Sequence, residues 1–203
     1  MSRPAEHPPK RTVTAFQLEH ELSADARAWL ADARQRPLAE VFPTVARKVG
    51  RSQLSTAEWT VDQAVRALLL VDASPAQVRE IYRYGDATEK HAMLRALSVV
   101  EISAHLGDTA LPLVADAIRT NDQRLLAAAL GPYATEWLPP ASFRQAVLKC
   151  VFAGVPLAVV DGLPGRADDE LVRMMKDFAA ERTAAGREVP VDLQPYLTAL
   201  RGV

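Results

Sequence analysis

The stretch that decides the fold is ASFRQAVLKCVFAGVPLAVV, residues 141–160. Its part from 146 to 160 carries a single charge, Lys149, and a run this apolar belongs in the core of a folded chain. The run is shorter than the ~20 apolar residues of a membrane-spanning helix, and Gly154 and Pro156 interrupt it. The stretch therefore predicts a core helix and not a membrane anchor.

This core helix is expected to run from about Pro140 to Phe152, with a stop at residues 153–154 and a short second turn through Val159. Lys149 is then the one charge on an apolar segment. A buried ammonium group is unfavourable unless it is paired and hydrogen-bonded. Two interpretations stay open: Lys149 reaches the surface or joins a structural ion pair, or it lines a pocket that meets an anionic ligand.

The overall composition is that of an ordinary globular chain. Of its 203 residues, 49% are hydrophobic and 24% are charged, and the net charge is −1. Nucleic-acid binding requires a basic surface, so nucleic acid is not an expected partner. Cys150 is the single cysteine, and the first residues show no signal peptide, which together predict a reducing cytoplasm.

Helix-start signals follow one another along the chain. Capping boxes are predicted at Thr60–Gln63, Ser74–Gln77 and Asp86–Glu89, each followed by apolar residues at helical spacing. The best-defined helix is predicted over residues 168–185, and no segment has the alternation of a strand. The predicted fold class is all-α: an array of short antiparallel helix pairs, either α-solenoid or HEAT-like or a compact irregular helical domain.

The predicted organisation has one arm and one domain. Residues 1–12 are rich in proline and charge and are expected to be a disordered N-terminal arm, and residues 13–203 are expected to form a single helical domain. Gly85 separates two predicted helices and is expected to have a positive φ. Residues 133–138 and 161–167 are predicted to be loops.

Motifs for catalysis, phosphate binding or zinc binding do not occur in the sequence, and no cofactor or metal is expected. Asp62 and Arg66 have the i,i+4 spacing of a surface pair. Arg182 falls on the inward stripe of its helix. Lys149 and Arg182 are each expected to be largely buried and to contact a carboxylate, a backbone carbonyl or a shared anionic ligand.

Several stretches together resemble the EboA family, the metabolite-traffic proteins encoded in bacterial ebo gene clusters. They lie in order between residues 25 and 190: DARAWL at 25–30, FPTVARKVGR at 42–51, RYGDATEKHAMLRAL at 83–97, DAIRTN at 116–121, and the stretches 141–157 and 170–187. The chain departs from the family pattern at Gly131-Pro132, where asparagine-proline is expected, and at Arg144, where asparagine is expected.

The resemblance implies a role in the export or processing of a secondary-metabolite precursor. It also implies partners, namely metabolic enzymes and a prenyltransferase-like membrane protein of the same cluster, or a small-molecule metabolite. It brings no catalytic residues to this chain.

Two classes of function stay open. The first is a non-catalytic helical adaptor or small-molecule carrier. The second is an enzyme of unfamiliar type that acts on a prenylated or aromatic metabolite through a cationic pocket. A helix-turn-helix regulator is the weakest reading, because the helix after Gly85 has no basic cluster. The candidate ligand-binding residues are Lys149, Arg182, Arg95, Tyr133 and Gln145.

Overall fold

The computed structural model describes residues 12–55 and 58–198. Over these residues the chain forms α-helices and short 3₁₀ turns, with isolated β-bridges at Val13–Val99 and Gln53–Thr60 and no strand. The all-α prediction is confirmed. No helix in this part of the chain combines the length and the apolar character that crossing a membrane requires.

The chain divides into two compact units, which are described separately below. The described part of the first unit is residues 12–55 and 58–119, and that of the second is residues 120–198. The single helical domain over residues 13–203 stays a prediction. The arm predicted for residues 1–12 lies outside the described residues, apart from Thr12.

The first unit is arranged around one central helix. Its helices are α1 (Ala15–Glu21), α2 (Ala24–Ala33), α3 (Leu38–Val41), α4 (Val45–Val49), α5 (Val61–Leu70), α6 (Pro75–Tyr84), α7 (Ala87–Ala96), α8 (Val100–Leu106) and α9 (Leu111–Arg119). Helix α5 packs against α1, α2, α4 and α7, and all of its residues except Gln63 are buried. A helix covered on every side forms the centre of a core. This clustering corresponds to the compact irregular alternative.

The predicted helix starts of this unit are confirmed. Capping boxes are present at Thr60–Gln63, Ser74–Gln77 and Asp86–Glu89. In the last of them, Asp86 Oδ1 accepts the Glu89 N–H at 2.8 Å and Glu89 Oε2 accepts the Asp86 N–H at 3.0 Å. These side chains satisfy amide groups that have no partner inside the helix.

The second unit is built around the apolar stretch at residues 141–160. Its helices are α10 (Gln123–Ala129), α11 (Pro132–Trp137), α12 (Pro140–Ala153), α13 (Leu163–Arg166), α14 (Asp169–Ala184) and α15 (Gln194–Thr198). Helix α12 ends at Gly154, which has a φ of 69°, and a 3₁₀ turn follows at Leu157–Val159. Cys150 lies on its buried face, and burial raises the pKa of the thiol to about 12. The predicted core helix and its stop are confirmed.

Two predicted loops of this unit are wrong. Residues 133–138 belong mostly to α11, and residues 161–167 contain α13. Proline lies in the first turn of both helices, at Pro132 and Pro164. A proline there has the φ that a helix needs and loses no hydrogen bond, so these prolines start helices and do not mark loops.

Gly85 does not have the predicted positive φ. Its φ is −68° and its ψ is 149°, an extended conformation open to any residue. The glycine is required for space instead, because a Cβ atom at this position would lie 3.0 Å from the Ile81 carbonyl oxygen and 3.3 Å from both Cβ and Oε2 of Glu89. The capping box that starts α7 therefore crowds the end of α6.

We predict that Gly85→Ala destabilises the protein by about 1–3 kcal/mol, because the added methyl group overpacks this turn. Urea denaturation measures the effect. Gly165→Ala is the matched control: its Cβ would meet nothing within 4 Å, and alanine is a better helix former than glycine. Unchanged stability in Gly85→Ala would show that the turn relaxes around the methyl group.

Candidate functional site

Lys149 lies beside the buried face of α12, which is formed by Phe143, Ala146, Val147, Cys150 and Val151. Its side chain is half-buried, so the prediction that it is largely buried is wrong. The aliphatic stem of a lysine can cover apolar surface while its ammonium group stays near solvent. Lys149 therefore occupies the border between core and surface on α12.

Lys149 lines a cleft of about 230 Å³ in the second unit. The cleft is lined by Lys149 and Ala153 of α12 and, opposite them, by Thr120, Asn121, Asp122, Gln123 and Leu126. Two hydrogen bonds hold the second wall: Thr120 Oγ1 accepts the Asp122 N–H at 2.9 Å, and Gln123 Nε2 donates to the Ala153 carbonyl at 2.6 Å. The wall is thus fixed both within itself and to the end of α12.

The acidic residue of this cleft is already paired. Asp122 accepts from the Arg124 side chain at 2.9 Å and 3.3 Å and from the Arg124 N–H at 2.8 Å. The Arg124 hydrogen bond is the main reason that the pKa of Asp122 is lowered. Among residues 12–55 and 58–198, no carboxylate oxygen lies within 4.0 Å of Lys149 Nζ. Lys149 therefore forms no ion pair with the described residues. Its reach to the surface and its place in a pocket are the interpretations that the structure leaves.

Arg182 does not line this cleft. It is half-buried in the last turn of α14, where its Nε donates to the Glu188 carbonyl at 2.6 Å and its guanidinium lies 5.7 Å from the centre of the Phe178 ring. The predicted contact with a backbone carbonyl is confirmed, and the predicted burial is wrong. The apolar stripe of α14 reaches the surface at Arg182, because the residues that follow Arg182 are exposed.

The remaining candidate residues have separate surroundings. Arg95 belongs to the first unit, where it donates to the Glu58 carbonyl and lies 4.9 Å from the centre of the Trp59 ring. Burial lowers the pKa of this guanidinium. In the second unit, Tyr133 is buried against Trp137, and Gln145 is exposed on α12. Within the second unit, neither Tyr133 nor Gln145 lines the cleft at Lys149.

The comparisons with known proteins identify a family. The family model described as metabolite traffic protein EboA matches residues 45–198. The chain belongs to the EboA family. No curated protein and no solved structure matches it.

One departure of this EboA-family chain from the family pattern has a structural counterpart. Arg144 Nη1 donates to Asp168 Oδ2 at 2.6 Å, and Asp168 caps α14 by accepting the Leu171 N–H at 2.9 Å. The Leu171 hydrogen bond and then Arg144 hold the pKa of Asp168 below its usual value. Arginine at this position thus connects α12 to the start of α14.

Metal binding finds no support in the described part of this EboA-family chain, where no three side chains of histidine, cysteine, aspartate or glutamate are grouped to hold an ion. The acids at 168–170 serve the start of α14 instead.

The most strongly buried charges were missed by the sequence analysis. Asp62 and Arg66, predicted as a surface pair, are 3% and 2% exposed, and Arg66 Nη1 donates to Asp62 Oδ2 at 2.8 Å. Thr60 Oγ1 donates to the other carboxylate oxygen at 2.6 Å. The signal was available in the sequence, because α5 is apolar around most of its circumference, as a buried helix is.

We predict that Arg66→Met destabilises the protein by about 3–5 kcal/mol, because the buried Asp62 carboxylate then keeps only Arg51, whose Nε lies 3.9 Å away on a mostly exposed side chain. Urea denaturation measures the loss. The double variant Asp62→Leu/Arg66→Met is the control, since replacing both charges by apolar groups of similar size restores most of the stability. A double variant as unstable as the single one would assign the loss to packing and not to the stranded charge.

We predict the opposite for Lys149→Met, which strands no described carboxylate. Its free energy of unfolding should stay within about 0.5 kcal/mol of the wild-type value or rise. The same urea experiment tests this. A loss comparable to that of Arg66→Met would show that Lys149 has a structural partner.

Proposed function

We propose that this EboA-family chain serves metabolite traffic as a non-catalytic helical adaptor. Its proposed partner is the prenyltransferase-like membrane protein of the same gene cluster, and its proposed compartment is the cytoplasm. The observation that carries the proposal is the exposure of Phe152, whose side chain is 68% exposed. Large apolar groups at the surface mark interaction sites when they occur together.

The exposed ring of Phe152 is held in place. It packs edge-on against Phe178, with 4.7 Å between the ring centres, and Phe178 itself is buried. Aromatic residues are enriched in the central parts of protein interfaces. Phe152 therefore has the features of an interface anchor: a large apolar area, a supporting neighbour and access from solvent.

Further exposed apolar residues lie on neighbouring segments. The chain after α12 carries Pro156 and Ala158, and Val191 is among the most exposed apolar residues described. The Leu157 N–H donates to Asp192 Oδ2 at 2.8 Å, which brings the segment around Val191 beside the first two.

The cleft at Lys149 gives less support to a carrier of prenylated or aromatic metabolites. Pockets for such ligands usually have volumes of ~300–1,000 Å³ and mostly apolar walls. This cleft is smaller, at about 230 Å³. The enzyme alternative is weaker again, because Arg182 and Arg95 are already engaged by protein carbonyl groups.

We predict that Phe152→Asp weakens binding to the prenyltransferase-like membrane protein at least about tenfold, because a charge would replace an exposed aromatic anchor that the partner covers. The measurement is titration of the purified chain against that protein in detergent. Tyr84→Asp is the matched control, since Tyr84 is 75% exposed but lies in the first unit.

Circular dichroism and thermal unfolding of both variants confirm that the fold is kept. Binding that is absent in the wild-type chain, or equally strong in Phe152→Asp, contradicts the adaptor proposal. Loss of binding in both variants would mean that the exposed aromatics act without specificity, which contradicts it as well.

A further inference from the structure

We infer that the cleft at Lys149 is a binding site for a small anion that carries a carboxylate or phosphate group. This inference is independent of the adaptor proposal, because Phe152 does not line the cleft. It starts from the charges. Lys149 contributes one cation to the cleft, and Asp122, its one acidic lining residue, is matched by Arg124. The unmatched charge of the cleft is therefore positive.

The size of the cleft sets the size of the ligand. A volume of about 230 Å³ lies below the ~300–1,000 Å³ of pockets for drug-sized ligands. This is enough for a phosphate group or a short dicarboxylate and too little for a drug-sized molecule. The site is thus suited to small polar anions.

The walls offer the groups that such an anion needs besides the charge. Asn121 supplies an amide, and Leu126 and Ala153 supply apolar contact for a short carbon chain. The backbone amides at the start of α10 are not part of the proposal, because Asp122 already accepts from the N–H groups of Arg124 and Leu125. Lys149 is therefore the group on which anion binding depends.

The geometry also favours anions over the other classes of small ligand. A cation would meet the Lys149 ammonium group without a free carboxylate to offset it, since Asp122 is bound by Arg124. A neutral molecule would leave the half-buried ammonium group partly desolvated and without a counter-charge. An anion satisfies the ammonium group by a charge-assisted hydrogen bond.

The test is a two-dimensional ¹H–¹⁵N NMR titration of the full chain with inorganic phosphate and, separately, with succinate. Both are added at constant ionic strength, because screening weakens charge interactions near the surface. We expect saturable shifts of the amide signals of residues 120–123 with at least one of the two anions. The tighter of the two identifies phosphate or carboxylate as the preferred group.

Three controls make the result specific. Lys149→Met should lower the affinity for the anion at least about tenfold. Lys176→Met removes another half-buried lysine of the same unit and should leave the affinity unchanged. Succinamide, the uncharged analogue of succinate, should cause no saturable shift.

The inference is overturned if neither anion gives saturable shifts at residues 120–123. It is also overturned if Lys149→Met binds as tightly as the wild-type chain, or if succinamide binds like succinate. An equal loss of affinity in Lys149→Met and Lys176→Met would mean that net charge and not the cleft attracts the anion, and this outcome overturns it too.

Discussion

The pairing of Asp62 with Arg66, neither of which can lose its partner without cost, is the constraint that governs packing in the first unit. The two side chains belong to α5, which α1, α2, α4 and α7 cover. Neither charge can therefore be hydrated as it is in the unfolded chain. The pair also connects separate parts of the unit. Thr60, ahead of α5, donates to the carboxylate, and the Arg66 guanidinium lies 5.5 Å from the centre of the Phe42 ring. A change in the packing of α5 would therefore expose or strand a charge.

A second arginine has a comparable role in the second unit. Arg166, at the end of α13, donates to the Ala134 carbonyl at 2.8 Å, which also accepts the Leu138 N–H at 3.1 Å, and to the Leu138 carbonyl at 2.7 Å. Its guanidinium lies 4.1 Å from the centre of the Phe143 ring on α12. One side chain thus joins three helices, and burial lowers its pKa.

The sequence predicted the features that depend on neighbours along the chain. Capping boxes such as Asp86–Glu89 and the end of α12 at Gly154 follow from local hydrogen bonds and from φ, and both are present. The burial of Asp62 and Arg66 depends on four other helices, so local rules missed it. The crowding at Gly85 comes from Ile81 and Glu89, which are near in sequence, but residue spacing alone does not give the contact distances. The site divides in the same way. Lys149 could be singled out from the sequence, because its neighbours along the chain are apolar. The wall at residues 120–123 could not, because it comes from a distant part of the chain.

The hydrogen bond from Gln123 to the Ala153 carbonyl has a consequence for the entropy of association. It holds the last turn of α12, one residue beyond Phe152, and the Phe178 ring restricts the Phe152 side chain from the other side. Ordering a free aromatic side chain at an interface costs about 0.5–1.5 kcal/mol, which is subtracted from the affinity. In this chain much of that ordering is already completed when the protein folds. The exposed ring therefore meets a partner as a rigid surface, and the free energy of its burial is available for binding.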